Sequence, residues 1–136
     1  MVEGLKFYGS PWQPTFHDWA FNLDRGQPLK EKWDMIPADT DVLITHGPPY
    51  GIKDYIYDGS NVGCEDLAAA VARIKPRLHV FGHIHEDYGQ LIKDGTHYVN
   101  ACNCTLSYKV KNEPIIVELT VDVPSEVKPA ENPAKP

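Results

Sequence analysis

The chain has 136 residues, of which 13 are basic and 19 acidic, so its net charge is −6. This length allows one domain, and the acidic balance without a Lys/Arg cluster disfavours binding to nucleic-acid polymers or anionic membranes. Three cysteines make no disulfide framework, and no apolar run approaches the roughly 20 residues of a membrane span. Because no leader-like apolar segment follows Met1, we expect a cytoplasmic protein with reduced thiols.

The N-terminal region begins with a strand candidate, Leu5 to Tyr8, and continues as an irregular loop rich in proline and aromatic residues from Ser10 to Asp18. Trp12, Phe16 and Trp19 are the bulky side chains in and beside this loop. Two interpretations stay open for them: packing against the core, or a wall of a substrate cleft. The next element is a short amphipathic helix from Pro28 to Ile36, since proline favours a helix start.

Two short apolar runs each end in histidine. Val42 to Ile44 precedes His46, and the sequence Gly-Pro-Pro at 47–49 then prevents a regular strand or helix from continuing. Leu78 to Phe81 precedes Gly-His-Ile-His at 82–85. Between the runs, residues 64–74 have apolar side chains at helical spacing. Strand, helix, strand predicts a βαβ unit with parallel strands and a right-handed crossover.

Three histidines stand where the two strands of this unit end, namely His46, His83 and His85. In open α/β sheets ligands bind beyond the carboxyl ends of the strands, and neutral imidazole is a common ligand of divalent transition metals. The pattern therefore favours a metal site over solvated histidines. The loop at 51–63 follows the first strand and should border this site, with Tyr55 and Tyr57 either stacking on a base or packing at the surface.

The remaining elements are predicted to be β-structure followed by a tail. Gly89 to Lys93 and His97 to Asn100 are joined through Asp-Gly, which is a hairpin turn signal. Ile115 to Val121 is a final strand candidate. We expect residues 1–121 to form the domain and residues 122–136, rich in Pro, Glu, Lys and Ala, to be a disordered tail.

The motifs THGPP at 45–49 and GHIH at 82–85 resemble the last two motifs of the calcineurin-like metallophosphoesterases. The segments FYGSPWQPTF, GCEDLAAAVARIKPRLHVFGHIHEDYG and YVNAC are similar to the metallophosphoesterase-domain-containing subgroup, so the resemblance spans roughly residues 5–121. It implies an αββα sandwich of the α/β class, of which this chain would be the C-terminal part. It also implies hydrolysis of small phosphate esters, including phosphodiesters such as cyclic nucleotides.

The resemblance implies a dinuclear centre of Mn, Fe or Zn, with His46 and His83 on one metal and His85 on the other. The family's other ligands come from D-x-H, G-D and G-N-H-D/E motifs, and none of these occurs here. No catalytic residue is identifiable, since the family's general acid is the histidine of G-N-H-D/E, and the substrate-binding residues are unknown. Glu86 and Asp87 could supply a carboxylate, although a solvated turn is the more common arrangement.

Charge limits what three neutral histidines can hold. Two divalent cations about 3.5–4 Å apart repel by roughly 15–20 kcal/mol at an effective dielectric near 20, and imidazole offers no negative charge to offset this. We therefore expect at most one metal ion. Two functions remain open: a phosphoesterase whose isolated chain has little activity, or an inactive fragment that is a binding or regulatory module or a truncated gene product. An open apolar sheet face would favour self-association.

Overall fold

The computed structural model describes residues 1–121. Its centre is a five-stranded sheet in the order β1-β4-β5-β7-β6. The strands are β1 (Phe7–Ser10), β4 (Val42–Thr45), β5 (Leu78–Phe81), β6 (Gly89–Lys93) and β7 (Thr96–Asn100). Two further strands, β2 (Gln13–Pro14) and β3 (Asn22–Leu23), pair with each other in the loop after β1. The predicted tail, residues 122–136, lies outside the described residues.

Four strands of the sheet are parallel, which aligns their carboxyl ends at one edge. β1, β4, β5 and β7 pair in parallel, whereas β6 runs antiparallel to β7. The hairpin between β6 and β7 turns through Asp94 and Gly95, whose φ angles are 51° and 84°, as a two-residue turn with both centres at positive φ requires. The predicted parallel pairing of β4 with β5 and the predicted hairpin are both confirmed.

Two helices cover one face of the sheet. α1 (Gln27–Trp33) has Pro at its start, and α2 (Glu65–Ile74) begins with two acidic residues, which suit the positive end of the helix dipole. Lys75 ends α2 in the left-handed conformation. The buried side of each helix is the one that the apolar spacing predicted. Together with the sheet the helices form a core that includes Leu29, Trp33, Ile36, Leu43, Leu67, Val71, Ile74 and Phe81.

The opposite face of the sheet carries a smaller cluster and is partly open. Ile115, Val117 and Leu119 alternate as half-buried side chains and pack on a cluster formed by Val42, Leu78 and Val99. The predicted strand at 115–121 is nevertheless wrong, since no ladder pairs these residues within the described chain. Alternating burial needs only an extended backbone lying on the sheet face, whereas a strand also needs a neighbouring edge.

The observed architecture is mixed α/β with a mostly parallel sheet and two helices, which confirms the predicted fold class and is compatible with the C-terminal part of a phosphoesterase-type domain. Neither helix in residues 1–121 is long and apolar enough to cross a membrane.

Candidate metal centre

All four parallel strands deliver side chains of interest at their carboxyl ends. An aromatic loop follows β1, His46 follows β4, His83 and His85 follow β5, and Cys102 follows β7. Because parallel strands end at the same edge of a sheet, residues distant in sequence meet there. The sequence predicted this for the three histidines.

The turn that carries His46 is fixed by a buried pair of side chains. The Thr45 hydroxyl donates to the Gly47 carbonyl over 2.7 Å, so its oxygen is left to accept from the Nε2–H of His79, 2.9 Å away. His79 is completely buried, and its Nδ1 has no partner within the described residues. Burial lowers the pKa of His79 to about 3, so the ring is neutral at pH 7 and serves as a donor to Thr45.

His83 occupies a strained turn at the end of β5. Its φ is +71°, and the amide of Ile84 donates to the carbonyl of Gly82 over 2.8 Å across it. An i to i+2 hydrogen bond around a non-glycine residue at positive φ is the rarer and more strained kind of γ-turn. The amide of Gly82 also donates to the carbonyl of His46 over 2.9 Å, which ties the two histidine turns together. Such strain persists only where the surroundings impose it.

Asn100, at the end of β7, imposes the strained turn. Its side chain is fully buried, and its amide donates to the carbonyls of Ile84 at 2.8 Å, Asp87 at 3.0 Å and Lys53 at 3.3 Å. Its Oδ1 accepts from the amide of Cys102 at 3.1 Å. One side chain therefore fixes the segment after Gly-His-Ile-His and joins it to the loop beside the site.

His46 and His83 meet at the edge of the sheet. The Nε2 of His46 lies 3.2 Å from the Nδ1 of His83, and two nitrogens each about 2.1 Å from one metal ion lie roughly 3.0–3.4 Å apart. The same distance suits a hydrogen bond if one nitrogen carries a proton, which a metal would replace. Burial lowers the pKa of His83 to about 4, aided by the neighbouring His46 and His85 rings, and lowers the pKa of His46. Both rings are thus neutral at pH 7, the state that binds metals.

His85 makes a hydrogen bond of its own, outside the contact between His46 and His83. Its Nδ1 is 2.9 Å from the carbonyl of Cys104, so Nδ1–H donates there and Nε2 is the ring nitrogen that is left for another partner. A backbone carbonyl on the second nitrogen is the usual arrangement for a metal-binding histidine. Within residues 1–121, however, no three His, Cys, Asp or Glu side chains are arranged to hold one ion. The structure brings two of the predicted ligands together, and the three-histidine site stays a prediction.

The two carboxylates after the motif hold the neighbouring loop. Asp87 accepts from the amide of Tyr55 at 3.1 Å and pairs with Lys53 at 3.2 Å. Glu86 accepts from the amide of Tyr57 at 3.3 Å. In this arrangement Glu86 and Asp87 connect the turn after Gly-His-Ile-His to the loop at 51–63.

The loop at 51–63 has its own buried anchor, which the sequence did not single out. Asp54 is only 1% exposed and accepts from the amides of Gly51 at 2.9 Å and Gly63 at 2.8 Å, and from the side chain of Asn61 at 2.7 Å. A carboxylate with several N–H partners is the expected solution for a buried charge. The available signal was an Asp between two glycines in a polar loop, and this pattern also occurs in ordinary turns.

A cavity of about 530 Å³ lies away from the histidines, between α2 and the β6–β7 hairpin. Its lining includes Ala68, Val71, Ala72, Thr96 and Tyr98, with Lys75 and Lys93 among its charged residues, and it includes none of the three predicted ligands.

A mostly parallel α/β sheet with paired histidines at its carboxyl edge is compatible with the C-terminal part of a phosphoesterase-type α/β domain. Over 120 residues the chain is 53% identical to the human and mouse proteins named metallophosphoesterase domain-containing protein 1, covering 87% of this chain and 37% of each relative. It is 48% identical over 119 residues to a UPF0046 protein of Caenorhabditis elegans, covering 87% of this chain and 30% of the relative. No family model matches the chain.

These similarities confirm the predicted resemblance to the metallophosphoesterase domain-containing proteins, of which the chain matches a portion. It spans about a third of the length of the curated relatives it matches.

Proposed function

We propose that this chain forms the histidine side of a metal-dependent phosphoesterase site, with His46 and His83 sharing one divalent transition metal. The observation that carries the proposal is the 3.2 Å separation between one ring nitrogen of each histidine. The name of the human and mouse relatives supports phosphate-ester chemistry and dependence on a divalent metal. The substrate would be a small phosphate ester, including phosphodiesters such as cyclic nucleotides.

The histidines would fix the metal and would not move protons. Their neutral rings supply lone pairs, and the hydrogen bonds of Thr45 and Asn100 hold the turns that aim them. The Nδ1–H of His85 is held by a backbone carbonyl. Its Nε2 would therefore be available to the substrate or to a second metal ion. A divalent metal in this position would supply Lewis-acid polarisation of a phosphoryl oxygen.

The donor set also favours a second candidate function. The paired ligands are uncharged, and Glu86 and Asp87 are engaged by backbone amides. A site with no carboxylate ligand and no identified general acid would hold at most one ion and turn over slowly. In this alternative the chain is a catalytically inactive binding or regulatory module.

Metal binding is the first test. Elemental analysis and calorimetric titration with Mn²⁺ and Zn²⁺ should give no more than one ion per chain, and His83→Ala should abolish binding. His97→Ala is the matched control, because His97 hydrogen-bonds Gln90 on the sheet instead of facing the site. No binding in the unaltered chain, or equal binding by His83→Ala, would remove the basis of the proposal.

Turnover separates the two candidate functions. With Mn²⁺ present, we expect negligible hydrolysis of bis-p-nitrophenyl phosphate by the isolated chain. Metal binding without hydrolysis is expected of both candidates, whereas robust hydrolysis that His83→Ala abolishes would exclude the inactive module and show that the described histidines suffice for catalysis.

We also propose that the chain self-associates through the partly open sheet face. Phe7 and Ile44 are 43% and 45% exposed there, next to the half-buried Val80. Apolar side chains that neighbour one another on a sheet favour association because water leaves both surfaces. Sedimentation velocity should show a concentration-dependent dimer that Ile44→Lys weakens; a monomer at every concentration would contradict this.

A further inference from the structure

An aromatic wall, defined as Phe16 and Trp19, stands beside the histidine pair. The Phe16 ring is 5.1 Å from the His83 ring and 4.9 Å from the Trp19 ring, both edge-to-face. The Trp19 ring lies 6.3 Å from His83. These separations fall within the range of favourable aromatic pairs, so the wall and the predicted metal ligand form one continuous cluster.

The wall is held by a small network in its own loop. The side chain of Asn22 accepts from the amide of Phe16 at 3.2 Å and donates to the carbonyl of His17 at 3.0 Å. The Gln13 side chain donates to the carbonyl of Ala20 at 3.1 Å. The backbone that carries both aromatic rings is therefore fixed from either side, although the loop lies at the surface.

The exposure of these aromatic side chains indicates whether they pack against the core or form a wall beside the site. Phe16 is 38% exposed and Trp19 is 50% exposed, and neither belongs to the core clusters. Trp12 instead packs against the main core and makes an edge-to-face pair with Phe21 at 5.6 Å. Two large rings held at the surface beside the histidines contribute little to the core, and their open surface remains available for contact.

We propose that the aromatic wall binds a planar aromatic group of the substrate, so that the site prefers aryl or heteroaryl phosphate esters over aliphatic ones. This inference rests on the proposed function, because it assumes that the phosphate sits at the His46–His83 pair. An aromatic group bonded through one ester oxygen to that phosphate would reach the rings of Phe16 and Trp19. Trp19 is the larger and more exposed ring and would supply most of the contact.

Matched phosphonates test this preference without hydrolysis. Phenylphosphonate and methylphosphonate have similar charge and differ mainly in the ring. Titrated calorimetrically into the Mn²⁺-loaded full chain, phenylphosphonate should bind about tenfold more tightly, because only its ring can stack on the aromatic wall. Trp19→Ala should bring the ratio close to one while leaving methylphosphonate affinity unchanged, and Trp19→Phe should restore part of it.

Phe21→Ala is the control, because Phe21 is an exposed aromatic residue of the same loop that pairs with Trp12. It should retain the full ratio. Equal affinities for the two phosphonates in the metal-loaded unaltered chain would overturn the aromatic preference and leave the proposed function standing. Failure to bind Mn²⁺ would overturn both. Loss of methylphosphonate binding in Trp19→Ala would show that the wall is structural and contradict the inference.

Discussion

The two turns that carry His46 and His83 are both fixed by a fully buried polar side chain from a neighbouring strand, but the two supports differ. Asn100 uses both of its polar atoms, with three carbonyls and one amide as partners. His79 uses one nitrogen, through Thr45, and its other nitrogen has no partner within residues 1–121. Replacing Asn100 should therefore destabilise its turn by leaving buried carbonyls without a hydrogen-bond donor. The turn that depends on His79 should instead be destabilised when His79 becomes protonated.

The largest effect is expected from Asn100→Leu, which keeps the side-chain volume and removes every hydrogen bond. Buried carbonyls left without a donor cost about 1–3 kcal/mol each, and partial access to water reduces the sum. We expect the free energy of unfolding in urea to fall by about 3 kcal/mol and metal binding to be lost.

Asn112→Leu provides the comparison, since the Asn112 side chain makes one hydrogen bond, to the carbonyl of Cys102 at 2.8 Å, and is only partly buried. It should cost roughly 1 kcal/mol. Similar losses in both variants would show that Asn100 has no special role in holding the strained turn.

The His79 support should be sensitive to acid. Burial depresses the pKa of His79 to about 3 in the folded chain, against about 6.5 when unfolded. The unfolded state thus binds more protons between these values, so stability rises with pH and falls as the pH drops below 6.5. For His79 this loss is about 2 kcal/mol between pH 7 and pH 5.

His79→Leu should remove that part of the pH dependence, even though His46 and His83 add losses of the same sign. Urea unfolding at pH 7 and pH 5 measures the difference. Val99→Ala, a buried change without a titrating group, should lower stability equally at both pH values. If the free energy of unfolding of His79→Leu falls as much between pH 7 and pH 5 as that of the unaltered chain, protonation of His79 does not destabilise the turn that carries His46.

The contacts of Asn100 and His79 could not be predicted from the sequence, although the strands around them could. Apolar runs and helical spacing predicted β4, α2 and β5, and parallel strands then placed His46 and His83 at one edge. Neither signal connects Asn100 with the carbonyl of Ile84 or His79 with Thr45, because those contacts depend on strand order and register. The positive φ of His83 has no local sequence signal at all, since a glycine precedes it and could have taken the strain.

In residues 115–121 the sequence pattern predicted a strand that the structure does not contain. The alternation of Ile115, Val117 and Leu119 correctly indicates an extended segment with one side toward the sheet. It cannot indicate whether the segment pairs with the backbone of another strand, and within the described chain it pairs with none. The two-residue alternation of apolar side chains specifies which side of the segment is buried. Whether the segment forms a strand depends on hydrogen bonding to the backbone of another segment.

The smallest expected effect tests whether the support formed by His79 and Thr45 acts as a unit. Thr45→Val keeps the β-branched shape in β4 and removes the hydroxyl between His79 and Gly47. It should cost about 1–2 kcal/mol, because a buried N–H and a carbonyl both lose a partner. In a His79→Leu background the same substitution should cost less, since no imidazole donor remains to be left unsatisfied. Urea unfolding of the four proteins in this cycle measures the coupling. Strict additivity would mean that the two side chains stabilise the His46 turn independently, and the contrast with the single Asn100 support would then be one of strength alone.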